Sequence, residues 1–242
     1  MCEFNVRIAE YVIAIRALNP GVKNLFRDYL TDEPAQLMLE SDESDLAEER
    51  RLMKCDPDMR PYVDRYSDGR VESSYLHRSL AELLAEYETI LMHGSAVALD
   101  GEVYIFVAPS GTGKSTHARL WREAFGDRIV MINDDKPLLK CTGDGILVYG
   151  SPWDGKHHLS TNSCAPLKAI CFLERGEENV IEQISSGDAF IPLMTAIYHS
   201  KDAGRETAIL HTLQSIRQHA KFYRLKCNME PDAAKVSYEG MH

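Results

Sequence analysis

Ser110-Gly111-Thr112-Gly113-Lys114-Ser115-Thr116, near the middle of the 242-residue chain, sets two glycines, an ammonium and a hydroxyl at the spacing that phosphate oxygens require. Gly111 and Gly113 allow successive backbone N–H groups to turn inward around an anion, where side chains would obstruct them. Lys114 is positioned for the β- and γ-phosphates, and Ser115 offers a hydroxyl to Mg²⁺. Residues 117–125 read as a helix whose N-terminus adds its positive dipole end to the site. The usual pattern opens on glycine where this chain has Ala108, a change tolerated if that position keeps φ below zero. Residues 110–116 are therefore expected to bind nucleotide phosphates.

Three further groups could complete that chemistry. Asp134 and Asp135 close an apolar strand, and adjacent residues of a strand point to opposite sides, so the two carboxylates suit different roles. The alternative is one metal ligand beside one surface carboxylate. His93 lies ahead of the loop; a lone histidine on a strand is more often structural than functional. Residues 150–158 gather turn formers with Trp153, Lys156, His157 and His158. Lys156 is a candidate for stabilising charge on a transferring phosphoryl group, the alternative being an exposed basic turn. Trp153 could stack on a base or wall off water. The histidine pair lacks a third ligand at useful spacing and makes a poor metal site.

The elements that must position these residues follow from periodicity and turn signals. Residues 90–99 and 103–107 read as a hairpin turning at Asp100-Gly101 and feeding the loop. Strands at 129–132, 137–141 and 146–149 are joined by turns too short for helices, so these neighbours must be largely antiparallel. The fold class is thus α/β with a mixed, largely antiparallel sheet around the phosphate loop, unlike the parallel alternation of ordinary P-loop nucleoside triphosphatases. Residues 167–173 and 179–185 read as paired strands, 187–199 and 206–219 as helices, 222–227 as a closing strand and 231–239 as a last helix. The face formed by Ile209, Leu210, Leu213 and Ile216 is core or subunit contact.

Residues 1–74 form a small α+β portion, and residues 75–242 the nucleotide-binding domain. The first portion holds one bent or two short strands in 3–16, a short helix at 21–30, a strand at 35–40 and a helix opened by the acidic run 42–49. That run is a solvated helix start rather than a metal site. Pro57, Pro61, Asp68 and Gly69 mark an irregular stretch, followed by a core-facing helix at 75–87 carrying Leu76, Leu80, Leu83 and Leu84.

Lys and Arg number 27 against 37 Asp and Glu, a net charge of −10 that argues against a nucleic-acid surface. No run approaches the roughly 18 apolar residues of a membrane span, and the N-terminus lacks a basic-then-apolar signal. The six cysteines are scattered, with Cys171 in an apolar strand, and suggest neither zinc nor a disulfide framework. The expectation is a reduced, cytoplasmic protein.

The combination of His93-Gly94 on a hairpin, the loop at 110–115 and an apolar strand ending in Asp134-Asp135 resembles the catalytic domain of HPr kinase/phosphorylase, a relative of ATP-dependent phosphoenolpyruvate carboxykinase. The resemblance covers residues 88–175. The Arg-Gly-Leu-Gly signature tied to phosphorylase activity and the amino-terminal domain of that enzyme have no counterpart here, and the chain is too short for a full carboxykinase. It looks most like stand-alone HPr-kinase-like proteins, some of which phosphorylate peptides encoded in bacterial gene clusters. The resemblance implies ATP and Mg²⁺, with Asp135 and Ser115 holding the metal and Asp134 as general base. It places His93 beside the catalytic carboxylate, where it could bond Asp134, tune its proton affinity or contact the transferring phosphate. The implied acceptor is a serine of a small protein or peptide; a small-molecule hydroxyl kinase and a catalytically weak ATP-binding module are the alternatives. HPr kinases form hexamers, so a homo-oligomer is an option, though no residue here demands one.

Overall fold

Apolar alternation at the amino terminus builds two strands, β1 (Cys2–Ile8) and β2 (Tyr11–Ala17), paired antiparallel. Ala9 and Glu10 between them take φ of 48° and 75°, the left-handed pair that suits a two-residue hairpin between right-twisted strands. β3 (Leu37–Glu40) joins β2 in parallel. The acidic run opens α1 (Glu43–Cys55) through a reciprocal capping box, in which the Asp42 carboxylate accepts from the Asp45 N–H at 2.9 Å and Asp45 accepts from the Asp42 N–H at 3.0 Å. α2 (Asp68–Ala85) begins seven residues earlier than periodicity alone suggests, because Ser67 caps the Arg70 N–H and Asp68 complements the helix dipole.

Glu72 on α2 is wholly buried. Its carboxylate accepts the Leu18 and Asn19 N–H groups at 2.6 and 2.9 Å, the Asn19 side-chain amide at 2.7 Å and the Ser41 hydroxyl. Glu72→Gln would set an NH₂ group against a ring of donors. It is expected to lower stability by about 1–3 kcal/mol, read as a fall in thermal midpoint, while Glu72→Asp should lose less.

The computed structural model describes all 242 residues, which divide into two compact units, Met1–Leu83 and Leu84–His242. The division lies near the end of α2; the expected boundary at 74/75 lies within the same helix. No helix is long and apolar enough to cross a membrane.

The second unit is mixed α/β. It contains β4 (Thr89–Leu91), β5 (Ser95–Leu99), β6 (Glu102–Val107), α3 (Lys114–Phe125), β7 (Ile129–Asn133), β8 (Leu138–Thr142), β9 (Gly145–Tyr149), β10 (Cys164–Arg175), β11 (Val180–Ile184), α4 (Phe190–Ala196), α5 (Ala203–His219), β12 (Lys221–Cys227) and α6 (Asp232–Met241). The start of β10 pairs antiparallel with β9, which continues through β8 to β4. The rest of β10 lies between β6 and β12, parallel to both. β6 passes on through β5 to β7, and β12 to β11, all antiparallel. One long strand thus belongs to both arms of a curled sheet.

Three expectations need correction. Residues 90–99 are two strands, β4 on β8 and β5 on β6, because the chain turns out of line at Met92-His93-Gly94. Gly94 makes that passage possible: a Cβ there would lie 2.9 Å from Ile105 Cγ2 and 3.2 Å from the Phe106 carbonyl oxygen. Residues 179–185 do not pair with 167–173, since β12 intervenes and α4 and α5 supply the crossover a parallel neighbour requires. The helix expected over 187–199 is only α4, because Ile197 turns extended to bridge Met92 and the Tyr198 N–H bonds to the Leu91 carbonyl at 2.9 Å.

Alternation along β6 fixes its two faces. Val103, Ile105 and Val107 enter a core with Ile209, Leu213 and Ile216 of α5, whereas Tyr104 and Phe106 enter one with Ala118 and Trp121 of α3. The Trp121 indole N–H donates to the Ser237 hydroxyl at 2.8 Å, and His117 Nε2 lies 3.0 Å from the same oxygen, joining α3 to α6. Burial pushes His117 down to about 4, so this ring is neutral at ordinary pH. The helix that follows the phosphate loop is therefore seated on packed aromatic surface. The buried thiol of Cys171 lies in the same core.

Candidate active site

The loop leaves β6 and enters α3 with Gly111 at φ 75° and Gly113 at φ 120°, backbone that side-chain-bearing residues rarely adopt. Gly113 caps α3, and the His117 N–H reaches its carbonyl at 2.8 Å. The preceding first-turn N–H groups have no intrahelical acceptor, the usual condition of a helix start and the basis of its anion affinity. From outside, Arg175 donates to the Gly111 carbonyl at 2.8 Å. Lys114 is buried, and its ammonium donates to the Ala108 carbonyl at 2.9 Å. Burial lowers its pKa and Lys136 adds to the effect, partly offset by Asp135 and Asp134. An ammonium withdrawn from water and held by one carbonyl is a site short of an anion.

Two buried side chains organise the strand end opposite. Asn133, fully buried, accepts the N–H groups of Asp135 and Lys136 at 2.8 and 2.6 Å through its side-chain oxygen. Its amide donates to the Ser151 and Trp153 carbonyls at 3.1 and 3.3 Å. Asn133 therefore fixes both the turn that carries the aspartates and the loop that follows β9. Ser95 of β5, the neighbour of β7, donates its hydroxyl to Asp134 Oδ1 at 2.7 Å.

His93 bonds Asp135 rather than Asp134, with Nε2 3.2 Å from Asp135 Oδ1. The carboxylates diverge, and the chain that offers Ser95 to one brings His93 to the other, while the Gly94 N–H donates to the Asp135 carbonyl at 3.1 Å. Burial alone would raise the Asp135 pKa; the His93 hydrogen bond, Lys136 and Lys114 outweigh it and hold the carboxyl below its ordinary value. Asp135 thus stays ionised.

Residues 150–160 fold over Asp134. Asp154 accepts from His158 Nδ1 at 2.9 Å and from the Ser160 N–H at 3.3 Å, closing a tight loop in which His158 takes φ 48°. A Cβ on Gly155 would lie 2.7 Å from Asp134 Oδ2. Gly155→Ala is expected to displace this carboxylate and cut phosphotransfer by ~10-fold or more while nucleotide affinity changes little. Parallel titration and single-turnover measurements would check both halves.

A cavity of about 560 Å³ collects the expected residues. The loop contributes Ser110, Gly111, Gly113, Lys114, Ser115 and Thr116; facing them are His93, Asp134, Asp135 and Lys156. Thr112 instead lines an adjoining recess of about 480 Å³, with Leu173, Arg175 and Met229. Trp153 does not line the cavity; its carbonyl accepts from the Asn133 amide. His157 lines it, whereas His158 is turned onto Asp154. No group of three or more His, Cys, Asp or Glu side chains could hold a metal by itself. Ser115 and Asp135 both line the cavity, and a hydroxyl and an ionised carboxylate are hard oxygen donors of the kind that would suit Mg²⁺.

Asn133, Ser95, Asp154 and Gly155 escape sequence reasoning. Only Asn133 leaves a trace, as an Asx residue two places before the N–H that it accepts at a strand end. No family model and no curated protein matches this chain, so the geometry of the cavity carries the functional reading.

Proposed function

We propose that this chain is an ATP-dependent kinase that moves the γ-phosphate to a hydroxyl, with a serine of a small protein or peptide as acceptor. The observation that carries the proposal is one cavity lined by a desolvated ammonium, an ionised carboxylate, the Ser115 hydroxyl and a second buried carboxylate with one oxygen committed to Ser95. The likeness of residues 88–175 to HPr-kinase-like proteins points the same way, and the scattered free cysteines support a cytoplasmic setting.

In this mechanism the phosphates lie along the 110–116 backbone, and the nucleoside end enters the recess beside Leu173 and Met229. Mg²⁺, when bound with the nucleotide at Ser115 and Asp135, supplies charge neutralisation between the β- and γ-phosphates. Asp134 orients the acceptor hydroxyl and takes its proton as the new O–P bond forms and the bond from the γ-phosphorus to the bridging oxygen breaks, releasing ADP. Proton loss comes late in a loose transition state, so orientation is the larger part of the Asp134 contribution. Lys114 and Lys156 offset the charge that accumulates on the transferred group and the departing oxygen.

The deciding measurement is transfer from γ-labelled ATP, with Mg²⁺, to cell extract separated into small-molecule and polypeptide fractions. Label on a polypeptide is the expected result. Label on a filtrate compound would replace it with a metabolite kinase, and tight binding without transfer would leave a nucleotide-binding module.

A further inference from the structure

A third recess, of about 390 Å³, continues from the active-site cavity and shares Ser115, Thr116, Asp134 and His157 with it. Its outer wall is Arg119 and Arg122, and Met131 and Leu159 provide apolar surface. Ser115, Arg119 and Arg122 stand at i, i+4 and i+7, one face of α3. Arg119 is shared with Glu123. Arg122 makes no hydrogen bond or ion pair through its side chain and is exposed, as are Lys156 and His157 across the opening. In a chain of net charge −10, this is a local excess of cations around a buried carboxylate.

The nucleotide does not account for it. At 1.5 Å per residue, Arg119 and Arg122 lie roughly 6 and 10 Å along the helix from Ser115, leading away from the loop that takes the phosphates. Asp134 belongs to both recesses, so a hydroxyl held at Asp134 lies at their junction. We propose that this recess is the acceptor subsite and that it selects a polypeptide acceptor carrying a carboxylate two to four residues from the phosphorylated serine. From Ser115, which shares both recesses with Asp134, those distances span about two to three residues of extended peptide at about 3.3 Å each, and the reach of the arginine side chain adds about one more. The proposal rests on the kinase reading above and specifies its substrate.

The test uses the full chain with Mg-ATP and short serine peptides bearing Glu, Ala or Lys at positions two to four on either side. The wild type is expected to favour the best Glu peptide over its Ala counterpart by at least tenfold in kcat/KM. Arg122→Glu is expected to bring that ratio below about twofold or invert it toward the Lys peptide. Arg122→Gln, the milder change, should give an intermediate ratio. Each ratio is internal to one variant, so a partial loss of folded protein does not imitate the effect. Equal use of neutral and acidic peptides by the wild type, or undiminished acidic preference in Arg122→Glu, overturns the subsite while leaving the kinase intact. Transfer only to small hydroxy acids also overturns it. Absence of transfer to every hydroxyl compound, with ATP still bound, removes the kinase reading as well.

Discussion

Asp134→Asn is expected to bind nucleotide with nearly unchanged affinity and to lose at least about 100-fold in phosphotransfer, the scale of a general-base contribution. The substitution keeps the side-chain volume, and its oxygen can still accept from the Ser95 hydroxyl, 2.7 Å away in the native site. What disappears is the negative oxygen on the Gly155 side, replaced by an NH₂ group that can neither take a proton nor accept a bond from an incoming hydroxyl. Titration with a nucleotide analogue and single-turnover transfer separate the effects. A rate within a few-fold of wild type would remove Asp134 from the chemistry. Parallel losses of affinity and rate would mean that the carboxylate serves the nucleotide instead.

Lys114→Ala is expected to weaken nucleotide binding by roughly 30-fold or more, as expected for removing one member of a buried charge pair. The same change should leave the ligand-free protein as stable as the parent or slightly more so, because an ammonium bonded only to the Ala108 carbonyl is a desolvated charge in the empty loop. Calorimetric titration and thermal unfolding without ligand make a two-part signature. Normal affinity would overturn the loop assignment. Reduced affinity with a large fall in unfolding temperature would show that Lys114 holds the loop together rather than the phosphates.

The glycines, Lys114 and the paired aspartates could be read from order alone, since their chemistry is compressed into contiguous residues. The hairpin into the loop and the antiparallel run after α3 were legible because short connections leave few alternatives. The long-range pairings were not. β12 sits beside β10 because residues between them cross over through two helices, and nothing local in 179–185 distinguishes a partner of β10 from a partner of β12. The break at Gly94 depends on the side chain of Ile105, eleven residues further along the chain, and so is invisible to a scan for apolar runs. His93 was visible as a candidate, but its choice of Asp135 over Asp134 depends on which carboxylate β5 brings Ser95 against. The recess along Arg119 and Arg122 emerged only when the α3 face and the 150–160 loop came together.

Asn133 ties the aspartate turn to the base of the following loop through Ser151 and Trp153, and Asp154 closes that loop on itself through His158 and Ser160. Lys156 and His157 at its tip are exposed; both line the central cavity, and His157 also lines the third recess. On the kinase reading, substitutions at His157 can therefore exchange one acceptor for another while the reacting carboxylates stay in register. Substitution at Asn133 would disturb both at once. On that reading the architecture would separate what is phosphorylated from how phosphorylation is carried out, and a lineage of such proteins could diverge in targets without reinventing the chemistry.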